Sequence, residues 1–145
     1  MALPPPWVYC ATAQPFDSEM RERIAQHQAR RGKGWRTEET PRDISCLIRN
    51  SQYPLLVDCL TLWLTNVMLG GMNVETETEA LLSAARSTEA RIVFVSNEVG
   101  LGIVPDNALA RVFRDRAGRL NQAVAGIANK VIFMAAGLPM VLKDE

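Results

Sequence analysis

Net charge is the first thing this sequence is short of. Sixteen Lys and Arg are balanced by sixteen Asp and Glu, giving a formal charge of +0 with the histidine neutral. No bulk field therefore favours nucleic acid or an anionic membrane surface. Long apolar runs are missing too: no stretch approaches the roughly 20 residues that a membrane span needs. The N-terminus carries no basic region followed by an apolar core, so a cytoplasmic protein is expected. Cysteine is scarce and odd in number. Cys10, Cys46 and Cys59 are widely spaced, two of them inside apolar strand-like runs. They read as buried reduced thiols, not as a disulfide framework or a metal site. There is one histidine, no internal repeat and no interdomain linker. What remains is a chain of 145 residues, 48% hydrophobic, enough for one core. Residues 1–145 are expected to form a single α/β domain.

The densest information lies in residues 91–122. Ile92 to Val95 is an unbroken apolar run of β-branched and aromatic residues, which suits a strand buried on both faces of a parallel sheet. Ser96, Asn97 and Glu98 follow, then Gly100 and Gly102. Polar groups just past such a strand sit where open α/β sheets bind ligands. Pro105 can open the next helix, with Asp106 in its first turn. Leu109, Val112, Phe113, Leu120, Val124 and Ile127 recur at helical spacing and mark its buried face. Arg111, Asp115, Arg119 and Gln122 share another face, readable as a solvated, salt-bridged surface. Gly100-x-Gly102 lacks the third glycine of a dinucleotide fingerprint, which Pro105 replaces.

Elsewhere strands and helices alternate. Residues 1–6 carry three prolines and read as an extended lead-in. Residues 7–11 form a strand, and Asp17 or Ser18 caps a helix to about residue 29. Met20, Ile24 and His27 fall on one face of it. Arg30, Arg31, Gly32, Lys33 and Gly34 make a basic, flexible loop before Trp35-Arg36-Thr37-Glu38-Glu39. A short helix with Pro41 in its first turn runs to about residue 50. Residues 55–58 form a second strand, and residues 61–69 a helix closed by Gly70 and Gly71. Residues 73–88 form another helix. Residues 130–135 make a fourth strand, and residues 139–143 a short last one. This alternation predicts a doubly wound, mainly parallel α/β sheet with helices on both faces.

Two features carry chemistry. Leu55-Leu56-Val57-Asp58 is an apolar strand ending in one carboxylate, as on the Mg²⁺ side of P-loop nucleotide enzymes. On the motif alone a plain strand-end Asp capping the next turn is the simpler reading. His27 is followed within ten residues by Arg30, Arg31, Lys33 and Arg36. Those cations would attract a triphosphate, although a solvated charge run is the plainer reading.

The segment Ser-Asn-Glu-Val-Gly-Leu-Gly-Ile-Val-Pro-Asp-Asn beginning at Ser96, with Phe-Arg-Asp-Arg-Ala-Gly-Arg-Leu-Asn-Gln beginning at Phe113, resembles the adenosylcobinamide kinase / adenosylcobinamide-phosphate guanylyltransferase family of cobalamin biosynthesis. Arg23-Ile24-x-x-His27 and Trp35-Arg36-Thr37-x-Glu39 match the family segment around its guanylylated histidine. The resemblance implies a P-loop NTPase-like fold, GTP and ATP as substrates with Mg²⁺, adenosylcobinamide and its phosphate as partners, and a homotrimer. It makes His27 the GMP-accepting nucleophile. Ala11, Thr12, Ala13, Gln28, Ala29, Arg30, Arg31 and Glu39 would contact nucleotide, and Asp58 would sit near metal and phosphates. Lys33, Asn97, Glu98, Arg114, Asp115 and Arg119 are further candidates for substrate contact or support. Gln26 stands where some relatives carry a second histidine.

No Gly-x-x-x-x-Gly-Lys-[Ser/Thr] occurs in these residues. The first β-loop-α unit of the family, which holds that motif, is therefore expected to be absent, and kinase activity is not expected of these residues alone. Three rival readings stay open: a catalytically incomplete nucleotide-binding remnant, a Rossmann-like oxidoreductase, and an interaction domain using Trp7, Trp35 and Trp63.

Overall fold

A computed structural model describes residues 3–145; Met1 and Ala2 of the expected lead-in lie outside the described residues. The chain forms two compact units, Met1–Asn97 and Glu98–Glu145.

The first unit runs β1 (Trp7–Ala11), α1 (Ser18–Arg30), β2 (Trp35–Glu39), α2 (Ile44–Asn50), β3 (Leu55–Asp58), α3 (Leu60–Leu69), α4 (Val74–Ser87) and β4 (Ile92–Val95). The four strands are all parallel, in the order β2-β1-β3-β4. Side chains alternate between the two faces of a strand, so the register sorts them. Val8, Cys10, Leu55 and Val57 share one face and are buried. The inward residues of α2, α3 and α4 are buried as well, with Ile44, Ile48, Leu60, Trp63, Leu64, Val67, Leu81 and Ala84 at the centre. α1 contributes no buried residue. The core of this unit is thus one sheet face under three helices.

The other face is different. It carries Trp7, Tyr9 and Ala11 of β1, Trp35 and Glu39 of β2, Leu56 and Asp58 of β3, and Val93 and Val95 of β4. Val93 is 55% exposed and Val95 39%. The expectation that the Ile92–Val95 run is buried on both faces is therefore corrected. A continuous apolar run does not distinguish a central strand from one at the end of the sheet.

β2 was not expected as a strand. Its alternation is masked by charge, because it lies at the other end of the sheet, where polar and charged side chains are tolerated. α2 starts at Ile44, not at Pro41. Asp43 is its N-cap, its carboxylate accepting from Cys46 N at 3.1 Å. The Pro41 carbonyl is instead taken by Asn66 Nδ2 at 2.9 Å. Asp17 caps α1 as expected, accepting from Met20 N at 2.7 Å, and Asn73 caps α4. All three cysteines are free, but Cys46 is exposed, so the expectation of three buried thiols holds only for Cys10 and Cys59.

The second unit holds α5 (Ala108–Ile127), β5 (Lys130–Ala135) and β6 (Leu138–Asp144). Pro105 does not open α5. Asn107 caps it, accepting from Ala110 N at 2.7 Å, because an Asn side chain can close the first turn and a proline ring cannot. Ala117, Leu120 and Val124 are buried, whereas Leu109 and Val112 are exposed; the apolar face is real only in the second half of the helix. β5 and β6 pair antiparallel in a hairpin of their own. They are not further strands of the parallel sheet, since two strands joined by the two-residue turn Ala136-Gly137 can only return antiparallel. Both turn residues have positive φ.

Candidate functional site

Parallel strands end together, and the register places four ends in one row. Ala11 is level with Glu39 on one side and Asp58 on the other, and Asp58 is level with Val95. Adjacent strands lie about 4.8 Å apart, so Glu39 and Asp58 flank Ala11 at roughly 10 Å from each other. Three residues picked from distant parts of the sequence therefore share one edge and one face.

Buried hydrogen bonds fix that edge. Thr12 is fully buried. Its hydroxyl accepts from Cys59 N at 2.8 Å and lies 3.0 Å from the carbonyls of Asp58 and Cys59. Thr12 N donates to the Asp58 carbonyl at 3.2 Å. Asn66 of α3 donates to the Thr12 carbonyl at 2.8 Å, and Trp63 Nε1 to the Arg42 carbonyl at 2.7 Å. α3 thereby clamps the loops that leave β1 and β2. Thr12 is a structural residue whose polar atoms are spent within the protein, while Ala11 and Ala13 keep half-exposed surfaces. The loop after β4 is tied in by Asn97 N, which donates to Thr61 Oγ1 at 2.9 Å.

His27, Gln28, Ala29 and Arg30 form the last turn of α1, all exposed. His27 does follow Met20 and Ile24 on one side of the helix, but those two are only half-buried. The imidazole is therefore not a core histidine. Arg31 caps the helix, its N–H reaching the Gln28 carbonyl at 3.2 Å. Its guanidinium lies 3.7 Å from the centre of the Tyr9 ring. The Tyr9 hydroxyl in turn donates to Asp58 Oδ2. Burial, then the Asp58 carboxylate, push the Tyr9 phenol above its ordinary range, so it stays a protonated donor. Trp35 stands edge-on to Tyr9, ring centres 6.3 Å apart, and Trp7 lies 5.4 Å from Trp35.

Gly34 belongs to this packing. Its φ is +110°, and a Cβ there would meet Pro5 Cβ and Trp7 Cζ3 at 3.0 Å. The glycine lets the chain pass Trp7 on its way into β2, which gives it a structural use beyond a flexible basic loop. Lys33 beside it is exposed.

Tyr9 was not among the residues expected at the site. A signal was available: it sits two positions before Ala11 in a strand, hence on the same face, and it is the one residue of that strand with a hydroxyl.

The second unit brings together Glu98, Gly100 and Arg114. Glu98 Oε1 accepts from Gly100 N at 2.7 Å, and Arg114 Nη2 donates to the Gly100 carbonyl at 2.6 Å. Arg114 Nη1 is buried without a hydrogen-bond partner. Arg111 is spent on the carbonyls of Pro105 and Asp106. Asp115 and Arg119 are exposed on α5.

No group of three His, Cys, Asp or Glu side chains that could hold a metal ion is found among the described residues. Mg²⁺ bound with a nucleotide needs only one or two protein carboxylates beside phosphate and water ligands. Asp58, with one oxygen oriented by Tyr9, could supply one. No helix among the described residues is long and apolar enough to cross a membrane.

Comparison with known proteins meets this geometry. A family model described as cobinamide kinase / cobinamide phosphate guanyltransferase matches residues 1–142. The bifunctional adenosylcobalamin biosynthesis protein CobP of Pseudomonas aeruginosa is 49% identical over 142 residues, covering 94% of this chain and 82% of that protein. The bifunctional adenosylcobalamin biosynthesis protein CobU of Salmonella typhimurium is 38% identical, covering 96% and 87%. That of Escherichia coli is 36% identical, covering 94% and 85%. The chain belongs to the cobinamide kinase / cobinamide phosphate guanyltransferase family.

Proposed function

We propose that this chain acts in cobalamin biosynthesis, transferring GMP from GTP to adenosylcobinamide phosphate through His27. The observation that carries the reading is the placement of that histidine. It is exposed in the last turn of α1, one turn before Arg31, whose guanidinium is joined through Tyr9 to the strand-end carboxylate of Asp58. A cation and a candidate metal ligand are thus joined through Tyr9, with Asp58 at the sheet edge where open α/β sheets take ligands, and His27 lies one helical turn before that cation.

A ring nitrogen of His27 attacks the α-phosphorus of GTP. A P–N bond forms, the bond to the bridging oxygen breaks, and pyrophosphate leaves. A phosphate oxygen of adenosylcobinamide phosphate then attacks the same phosphorus, breaking the P–N bond and restoring the histidine. Two displacements replace one difficult one, the usual gain of covalent catalysis. Arg30, Arg31 and Lys33 stabilise charge developing on the phosphates, and Glu39 contacts the guanine nucleotide. Mg²⁺, when bound, neutralises phosphate charge, and Asp58 is the residue that would hold it.

The family's kinase reaction, phosphorylation of adenosylcobinamide with ATP or GTP as donor, calls for a phosphate-cradling Gly-x-x-x-x-Gly-Lys-[Ser/Thr] loop, a motif that residues 1–145 do not contain. The bifunctional reading stands for the protein, in a cytoplasmic homotrimer, and guanylyl transfer is the half-reaction whose candidate residues lie within 1–145.

The test is covalent labelling with Mg²⁺ and GTP carrying label at the α-phosphate. Acid-labile, base-stable label is expected on the wild type. His27→Ala should abolish it, and chelating the metal should suppress it. GTP binding without label, in this chain and in a version extended at its N-terminus by the family's first β-loop-α unit, would overturn the reading in favour of a nucleotide-binding remnant.

A further inference from the structure

We infer that Tyr9 is a positioning residue for guanylyl transfer: one side chain that sets the end of the His27 helix and the Asp58 carboxylate relative to each other. The inference rests on the proposed function for its catalytic consequence, but its structural half stands alone.

α1 has no buried residue, so little hydrophobic burial fixes it on the sheet. Its last turn nevertheless has to be placed for chemistry at His27. Arg31, the residue that ends it, rests on the Tyr9 ring at 3.7 Å. Tyr9 is held in turn by the strand ladder, being level with Thr37 and Leu56, by edge-on packing with Trp35, and by burial. The platform is rigid and the helix end lies on it. The same ring ends in the hydroxyl that donates to Asp58 Oδ2. That bond leaves Oδ1 as the carboxylate oxygen free of Tyr9. Phenylalanine would keep the platform and lose the carboxylate contact, whereas leucine would lose both. The two functions of the residue are therefore separable.

The experiment uses Tyr9→Phe, Tyr9→Leu and Arg31→Gln, the last at a half-buried position. The first readout is amide hydrogen exchange in the last turn of α1, without substrate. A cation resting on an aromatic face contributes enough to slow local opening about fivefold. Exchange there should rise by about that factor in Tyr9→Leu and Arg31→Gln and stay unchanged in Tyr9→Phe. The second readout is single-turnover labelling at saturating GTP. A loss of folded protein alone lowers the amplitude and leaves the rate constant intact. Mispositioning lowers the rate constant itself, by roughly tenfold or more in Tyr9→Leu, with substantial recovery in Tyr9→Phe. Unchanged exchange in both Tyr9→Leu and Arg31→Gln would overturn the proposal, as would a Tyr9→Leu rate constant equal to wild type. Should the wild type take no label, the function reading fails by itself, and the exchange measurement still decides whether Tyr9 places the helix.

Discussion

The two faces of the four-stranded sheet are made by the same strands and do opposite jobs. One presents Val8, Cys10, Leu55 and Val57 to the layer formed by α2, α3 and α4, and is dry. The other presents aromatic rings, Glu39 and Asp58, and α1, which buries nothing, is associated with it through Arg31. Alternation along each strand makes this division automatic: a step of one residue changes the environment of the side chain completely. Stability is thus concentrated on one face, and the candidate chemistry on the other.

The largest test of that division is Trp63→Ala. Trp63 is fully buried in α3, with its indole N–H on the Arg42 carbonyl. Truncation should lower the unfolding free energy by about 3–5 kcal/mol, measured by urea denaturation. A loss below about 1 kcal/mol would show that the helical layer is not the seat of stability. The paired test is smaller and cleaner, because it changes the same side chain on opposite faces. Val57→Ala, on the buried face, should cost about 2 kcal/mol. Val93→Ala, on the open face of the neighbouring strand, should stay within about 0.5 kcal/mol. Equal losses would erase the contrast. Gly34→Ala sharpens it differently, since it probes the one tightly packed corner of the open side. The positive φ and the approach to Pro5 and Trp7 should make it cost about 1–2 kcal/mol, although the residue lies in a surface turn.

Much of this was legible from residues. β1, β3, β4 and β5 have the expected bounds, because a short, mostly apolar run flanked by turn or polar residues leaves few alternatives. The strand-end position of Asp58 and the Asp17 cap follow from local chemistry in the same way. What was not legible was neighbourhood. Nothing in Ile-Val-Phe-Val says that the strand ends a sheet, so the exposure of Val93 and Val95 was hidden. Nothing in the sequence joins Tyr9 to Arg31 and Asp58, which lie 22 and 49 positions away; that triangle exists only once β1 and β3 are paired. The hairpin of β5 and β6 was misread for a related reason. The residues fixed the strands, but the direction of their pairing depended on the two-residue turn at Ala136 and Gly137.

The smallest expected effect involves the thiols and divides the faces without a core substitution. Cys10 is buried on the closed face, and burial pushes its thiol up from 9.0 to about 12. Cys59 is also buried, whereas Cys46 is exposed on α2. An aromatic disulfide reagent at pH 8 should therefore modify one thiol quickly in the folded protein and all three after denaturation. In Cys46→Ser the fast phase should vanish with little change in stability. The raised value also has a sign. Folding disfavours the Cys10 thiolate, so its contribution to stability is complete below about pH 9 and is lost as pH rises from 9.0 towards 12. The slow reaction of Cys10 should consequently accelerate with pH faster than thiolate formation in the unfolded chain predicts, because rising pH both ionises the thiol and loosens the layer that covers it. Two fast thiols at pH 8 would mean that the closed face opens as readily as the other, and the assignment of stability to one side of the sheet would have to be abandoned.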